Sequence, residues 1–109
     1  MLRTKKQVDD LCRKCSLAKT ANIVGDTFSL LIIRDLLLKP KRFGELEKSL
    51  SGVSSRTITN KLKFLECEEI IKRSAFNEKP PRVEYSLTKK GKALQKIIDA
   101  MRKYGKTYL

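Results

Sequence analysis

The chain is predicted to be α+β and mainly α: a series of short helices around one two-stranded β-hairpin, with a helix at each end. Three observations carry this. Apolar residues recur at helical spacing along most of the sequence, and one stretch after Glu69 switches to two-residue alternation. Two turn signals, Ser51-Gly52-Val53 and Asn77-Glu78-Lys79-Pro80-Pro81, separate periodic segments. A length of 109 residues, 40% of them hydrophobic, fits a single domain over 1–109 with a modest core. So small a domain buries a limited share of its surface, and a second copy would help stabilise it.

Residues 1–10 are polar and charged, an arm or the start of a helix. Leu11, Leu17, Ala18, Ala21 and Ile23 then define a first helix, placed at about 8–24. Gly25-Asp26 ends it, and Asp26 is a good N-cap for the next. From Thr27 to Leu38 a wide apolar arc (Phe28, Leu31, Ile32, Leu36, Leu37) marks the core helix, which Lys39-Pro40 stops. Phe43, Leu46 and Leu50 predict a short helix from Phe43 to Ser49. Gly52 supplies a positive φ for the turn that follows, and Ser54 caps a helix from Ser55 to Cys67 carrying Ile58, Leu62 and Leu65. Two short helices around a glycine turn, at about 43–67, form a helix-turn-helix pattern.

Ile70 to Phe76 reads as a strand. Arg82 to Leu87 alternates strictly, with Val83, Tyr85 and Leu87 on one face, so a hairpin spans about 70–87 with a five-residue tip. Thr88 caps the last helix, at about 89–104, whose stripe is Leu94, Ile97, Ile98 and Met101, extended by Tyr104 and Tyr108. Gly91 weakens its first turn by about 1 kcal/mol relative to Ala.

Charge narrows the function. The net charge is +13, from 25 Lys and Arg against 12 Asp and Glu. A chain this basic attracts polyanions, and double-stranded nucleic acid is the first candidate. No apolar run is long enough for a membrane helix and no secretion signal is visible, so a cytoplasmic protein without membrane contact is expected. Three cysteines, an odd count, fit a reducing compartment. There is no His, no paired carboxylate suited to a cleft and no glycine-rich phosphate loop. An enzyme is therefore not expected, nor a cofactor. Cys12 and Cys15 with a distant Cys67 are a poor ligand set, so no metal is expected. Cys67, at the end of its helix, is expected to pack.

The Ser55–Cys67 helix has a second face made of Ser55, Arg56, Thr59, Asn60 and Lys63, with no carboxylate until Glu66. Such a face suits the major groove, which needs donors and acceptors without phosphate repulsion. Arg56, Thr59 and Asn60 are the candidates for base edges, and Lys63 and Ser54 for phosphates, with a cap as the other reading of Ser54. The hairpin brings Lys72, Arg73, Lys79 and Arg82 toward the backbone or minor groove beside it. Glu78 and Glu84 dilute that charge, and a solvated turn is the alternative.

Three ordered motifs carry a family resemblance: Leu36-Leu37-Leu38-Lys39-Pro40-Lys41-Arg42-Phe43-Gly44-Glu45-Leu46, the run from Gly52 to Leu65, and Pro80-Pro81-Arg82-Val83-Glu84-Tyr85-Ser86-Leu87-Thr88-Lys89-Lys90-Gly91. Together they make the chain resemble an hxlR-type regulator, a winged helix-turn-helix transcription factor similar to the MarR group. The chain differs at Ser16 after Cys15, at Asp26-Thr27-Phe28 and at Glu68-Glu69, where the family often has Pro, Gly-Lys-Trp and Gly. The resemblance implies a homodimeric regulator, expected to be a repressor, on an imperfect palindrome of double-stranded DNA. It implies that the terminal helices pair across a two-fold axis through Leu11, Leu94, Ile97, Ile98, Met101 and Tyr104, although intradomain packing is the other reading of that stripe. Cys15 matches a position that some members use for oxidant sensing. Arg13 and Lys14, between Cys12 and Cys15, favour the thiolate, and two part-buried cysteines without a role are the alternative. A small molecule or an oxidant is thus a candidate signal. The competing function is a nucleic-acid-binding protein without sequence preference, architectural or RNA-binding.

Overall fold

A computed structural model describes Thr4, Lys6 and residues 15–109. The helices are α1 (Ser16–Val24), α2 (Thr27–Leu38), α3 (Phe43–Ser49), α4 (Ser55–Cys67), α5 (Lys89–Lys92) and α6 (Gln95–Tyr108), and the strands are β1 (Ile71–Phe76) and β2 (Arg82–Leu87). The architecture is a winged helix-turn-helix, mainly helical with one antiparallel hairpin. The predicted bounds of α2, α3, α4 and β2 coincide with those observed. The part of the first helix assigned before Cys15, with Leu11 and Cys12, lies outside the described residues.

Each start has a local cause. The Asp26 carboxylate accepts the Ser29 N–H at 3.0 Å and so caps α2. Lys39 is extended and ends α2 ahead of Pro40. Lys41 then lies beside β2, exchanging two backbone hydrogen bonds with Tyr85 at 2.9 and 2.8 Å. At α3 the Glu45 carboxylate accepts the Arg42 N–H at 3.0 Å, closing a capping box from its N3 side. The turn between α3 and α4 places Gly52 at a φ of 88°, a region open to glycine.

The hairpin pairs Ile71 with Leu87 and Phe76 with Arg82. The core is shared by every layer: Ile32, Ile33 and Leu36 from α2, Leu46 from α3, Ile58, Leu62 and Leu65 from α4, and Ile71 and Leu87 from the hairpin. Burying each such side chain contributes roughly 1.5–3 kcal/mol.

Three expectations about the C-terminal helix need correcting. It is not continuous from residue 89. The Leu94 N–H bonds to the Gly91 carbonyl, three residues back, at 3.0 Å, so the chain tightens between α5 and α6. The tightening carries Leu94 inward. Leu94 is 8% exposed and Ile98 4%, and both complete the protomer's own core instead of facing a partner. Gly91 is also not merely a weak helix former. It is buried against the backbone carbonyl of Ile70, and a Cβ there would collide with that oxygen and stand 2.9 Å from Leu87 Cδ2.

Helix propensity alone would make Gly91→Ala stabilising by about 1 kcal/mol. The collision predicts the opposite sign, a loss of about 1–3 kcal/mol. Urea unfolding of the two proteins decides between them.

Candidate nucleic-acid interface

The helix α4 is held at both ends and along one side. At its start the Ser54 hydroxyl accepts the Thr57 N–H at 3.1 Å. At its end the Ile70 N–H reaches the Leu65 carbonyl at 2.9 Å and the Glu69 N–H reaches Glu66 at 3.0 Å, the paired bonds of a Schellman cap. Glu69 takes the left-handed position with φ 60°, a place usually given to Gly. Two side chains from beyond the wing bond the carbonyls of the turn that follows the helix. Lys90 Nζ donates to the Glu68 carbonyl at 2.8 Å and the Thr88 hydroxyl to that of Glu69 at 2.6 Å. An ammonium at a helix C-terminus also complements the macrodipole.

Along the helix, Lys61 Nζ forms an ion pair with Asp26 Oδ1 at 3.1 Å, with both side chains mostly buried. Burial of the Asp26 carboxyl opposes its ionisation, but the Ser29 amide and Lys61 outweigh it and hold the group below the ordinary carboxylate range. One residue thus caps α2 and anchors α4.

The opposite side of α4 is open. Arg56, Asn60 and Lys63 are exposed and Thr59 is half-buried. Among the described residues these four side chains have no intramolecular hydrogen bond or ion pair. Arg56, Asn60 and Lys63 follow one another at i, i+4 and i+7 and form a single stripe. Cys67 continues it at i+11 and is exposed with a free thiol, contrary to the expected packing. The two serines at the start differ from these four. Ser54 accepts the Thr57 N–H and lies 2.9 Å, hydroxyl to hydroxyl, from Thr57 Oγ1, so its side chain acts as the cap. Ser55 is exposed, and its hydroxyl donates to Glu47 Oε2 on α3 at 2.6 Å.

The wing presents Lys72 and Arg73 on β1 and Lys79 at the tip, all exposed. Arg82, expected to face nucleic acid, is held inside the wing instead. Its guanidinium lies 4.3 Å over the Phe76 ring, and Nη2 pairs with Glu78 Oε1 at 3.1 Å. Cross-strand pairing of Phe76 with Arg82 brings ring and guanidinium together.

Of the expected dimer residues, Ile97 is half-buried against the core, while Met101 and Tyr104 are 46% and 60% exposed. Tyr108 extends their stripe, its ring centroid 5.0 Å from that of Tyr104. Cys15 is an exposed free thiol at the N-cap position of α1. Among the described residues no His, Cys, Asp and Glu gather as a metal site, and no helix is long and apolar enough to cross a membrane. Sequence reading missed the Asp26–Lys61 pair and the Ser55–Glu47 bond. The former spans 35 residues with no local signal, and only the i, i+8 placement of the latter across a glycine turn hints at it.

The model of the HxlR-like helix-turn-helix family matches residues 23–109. An HTH-type transcriptional regulator of Synechocystis is 38% identical over 95 residues, which are 87% of this chain and 70% of that protein. Among solved structures, a MarR-family transcriptional regulator from Porphyromonas gingivalis W83 superposes with a TM-score of 0.82 at 33% identity, covering 100% of this chain and 99% of that one. The reduced form of the transcriptional regulator YodB from Bacillus subtilis gives a TM-score of 0.79 at 32% identity, over 85% and 91% of the two chains. YodB has also been solved diamide-treated and quinone-bound.

Because the folded pKa of Asp26 is lowered, its stabilising effect is complete above the unfolded value of about 4 and is lost as pH falls through the folded one. Asp26→Ala should therefore lower stability by about 1 kcal/mol at pH 7, and the gap from the parent protein should narrow at pH 3. Denaturant titrations at the two pH values measure it. An unchanged gap would assign Asp26 a role independent of its charge.

Proposed function

The chain belongs to the HxlR-like helix-turn-helix family of DNA-binding transcriptional regulators, and from that premise we propose that it binds an imperfect palindrome in double-stranded DNA as a homodimer. The observation that carries this is the unpaired stripe of α4 on a helix fixed at both ends. Arg56, Thr59 and Asn60 face base edges in the major groove, and Lys63 faces a phosphate. Lys79 at the wing tip, with Lys72 and Arg73, neutralises backbone beside the groove. Arg82 supports the tip and makes no primary contact. The expected output is repression by a protein bound over a promoter, and the expected place is the cytoplasm.

The second copy docks on Met101, Tyr104 and Tyr108 of α6. Their exposure as an unbroken apolar and aromatic stripe supports this reading, with Leu94, Ile97 and Ile98 bracing it from beneath. Two-fold symmetry then sets the recognition helices about 34–36 Å apart. Cys15 is the proposed thiol sensor: it is exposed, and YodB, a similar structure, exists in diamide-treated and quinone-bound forms.

Selection from a random duplex pool should recover a two-fold motif bound roughly 10³-fold more tightly than random DNA at physiological salt. Arg56→Ala should cost about 1–3 kcal/mol and relax preference at one position per half-site. A loss of equal size on every sequence would move Arg56 to a phosphate, and affinities within a few-fold on all duplexes would favour a non-specific binder.

The thiol reading predicts that diamide releases wild-type protein from this DNA and leaves Cys15→Ser bound. Gel-shift titrations with and without diamide measure it, and wild-type binding that ignores the reagent would remove Cys15 from the mechanism.

A further inference from the structure

We infer that Glu47 fixes the hydrogen-bonding polarity of Ser55 and so makes the start of α4 a reader of an exocyclic amino group, on cytosine or adenine, in the major groove. The inference rests on the reading of α4 as the major-groove helix and says what one of its positions recognises.

A carboxylate has no proton to give, whereas a hydroxyl has one. The 2.6 Å contact between Ser55 Oγ and Glu47 Oε2 therefore places the Ser55 proton on Glu47. A short, charge-assisted bond of this kind is about twice as strong as a neutral one. What Ser55 still offers outward is lone pairs alone, and the second oxygen of Glu47 is likewise an acceptor. Ser55 is the first residue of α4 and is exposed, in the part of a recognition helix that meets base edges.

Acceptors read donors. In the major groove only cytosine N4 and adenine N6 donate, while guanine presents N7 and O6 and thymine O4, all acceptors. The pair Ser55–Glu47 thus selects cytosine or adenine and turns away guanine and thymine. It also turns away phosphate, so Ser55 is not a backbone contact. Without Glu47 the serine proton could rotate toward either kind of base. Its neighbours complement the assignment, since Arg56 supplies only donors and Asn60 both kinds. Structural service gives Glu47 a second explanation. Its charge beside the start of α4 suits the helix dipole, and the bond ties α3 to α4. Such a role affects stability, or binding to all sequences alike, but it carries no base identity.

The test uses the full chain and its selected operator. Each cytosine in the half-site is replaced in turn by 2-pyrimidinone and each adenine by purine, which removes the amino group alone. Wild-type protein should lose roughly five- to tenfold in affinity at a half-site position where Glu47→Gln and Ser55→Ala bind the parent and amino-free duplexes within twofold. Ser55→Thr, which keeps a hydroxyl, should restore the discrimination. All variants should melt within a few degrees of wild type. The inference is overturned if Glu47→Gln keeps the full discrimination, if no amino group matters to wild type more than to Ser55→Ala, or if Glu47→Gln shifts affinity equally on every duplex. Recovery of no operator by wild-type protein would instead overturn the major-groove reading beneath it, and this inference with it.

Discussion

The carbonyl of Ile70 is the point on which the second half of the molecule is registered. It accepts the Thr88 N–H at 3.0 Å, and Gly91 is packed against it so closely that a methyl group does not fit. The same residue, through its N–H, closes the cap of α4 on Leu65. The end of the recognition helix, the base of the wing and the entry to the C-terminal helices therefore share one backbone unit. Thr88 tightens the knot from the other side, since its hydroxyl donates to Glu69 and accepts from the Gly91 N–H at 3.1 Å. The angle between helix and wing is tied by backbone hydrogen bonds, which admit little variation in length, as well as by the core that Leu65, Ile71 and Leu87 share.

What the sequence made legible were the features with a short period or a local signal. Asp26, Ser54 and Thr88 each cap the helix they precede, and the alternation through Val83, Tyr85 and Leu87 located β2. The α4 face was legible because a run of Arg56, Thr59, Asn60 and Lys63 without a carboxylate is unusual on a helix. The misreadings concerned residues whose role depends on a distant partner. Gly91 looked like a helix defect because the Ile70 carbonyl that excludes a side chain lies 21 positions earlier in the chain. The family resemblance places Leu94 and Ile98 in a dimer seam, with the protomer's own core as the other reading, because helical spacing cannot say whether an apolar face meets its own core or another chain. Arg82 read as a surface cation because cross-strand pairing with Phe76 is a property of register, which alternation alone leaves open.

The charge count likewise overstates the interface. Part of the excess of cations works inside the fold: Lys61 pairs with Asp26, Lys90 caps α4 and Arg82 stacks on Phe76. These three organise the helix and wing whose unpaired neighbours are the proposed DNA contacts. The division is visible in the geometry, because each internal cation has an identified oxygen or ring and Arg56 and Lys63 have none.

The Arg82 stack has a kinetic side. Long side chains at a wing tip would ordinarily be frozen on contact with a duplex, at about 0.5–1.5 kcal/mol of lost freedom for each. Here Arg82 is already bracketed between Phe76 and Glu78 before any encounter. Entropy lost in folding is not lost again in docking, so on the proposed reading the Arg82 support of the tip needs no further ordering, and only Lys79 is frozen on contact. The encounter is then governed by orientation and long-range attraction, and its speed should respond to ionic strength more than to any rearrangement of the wing.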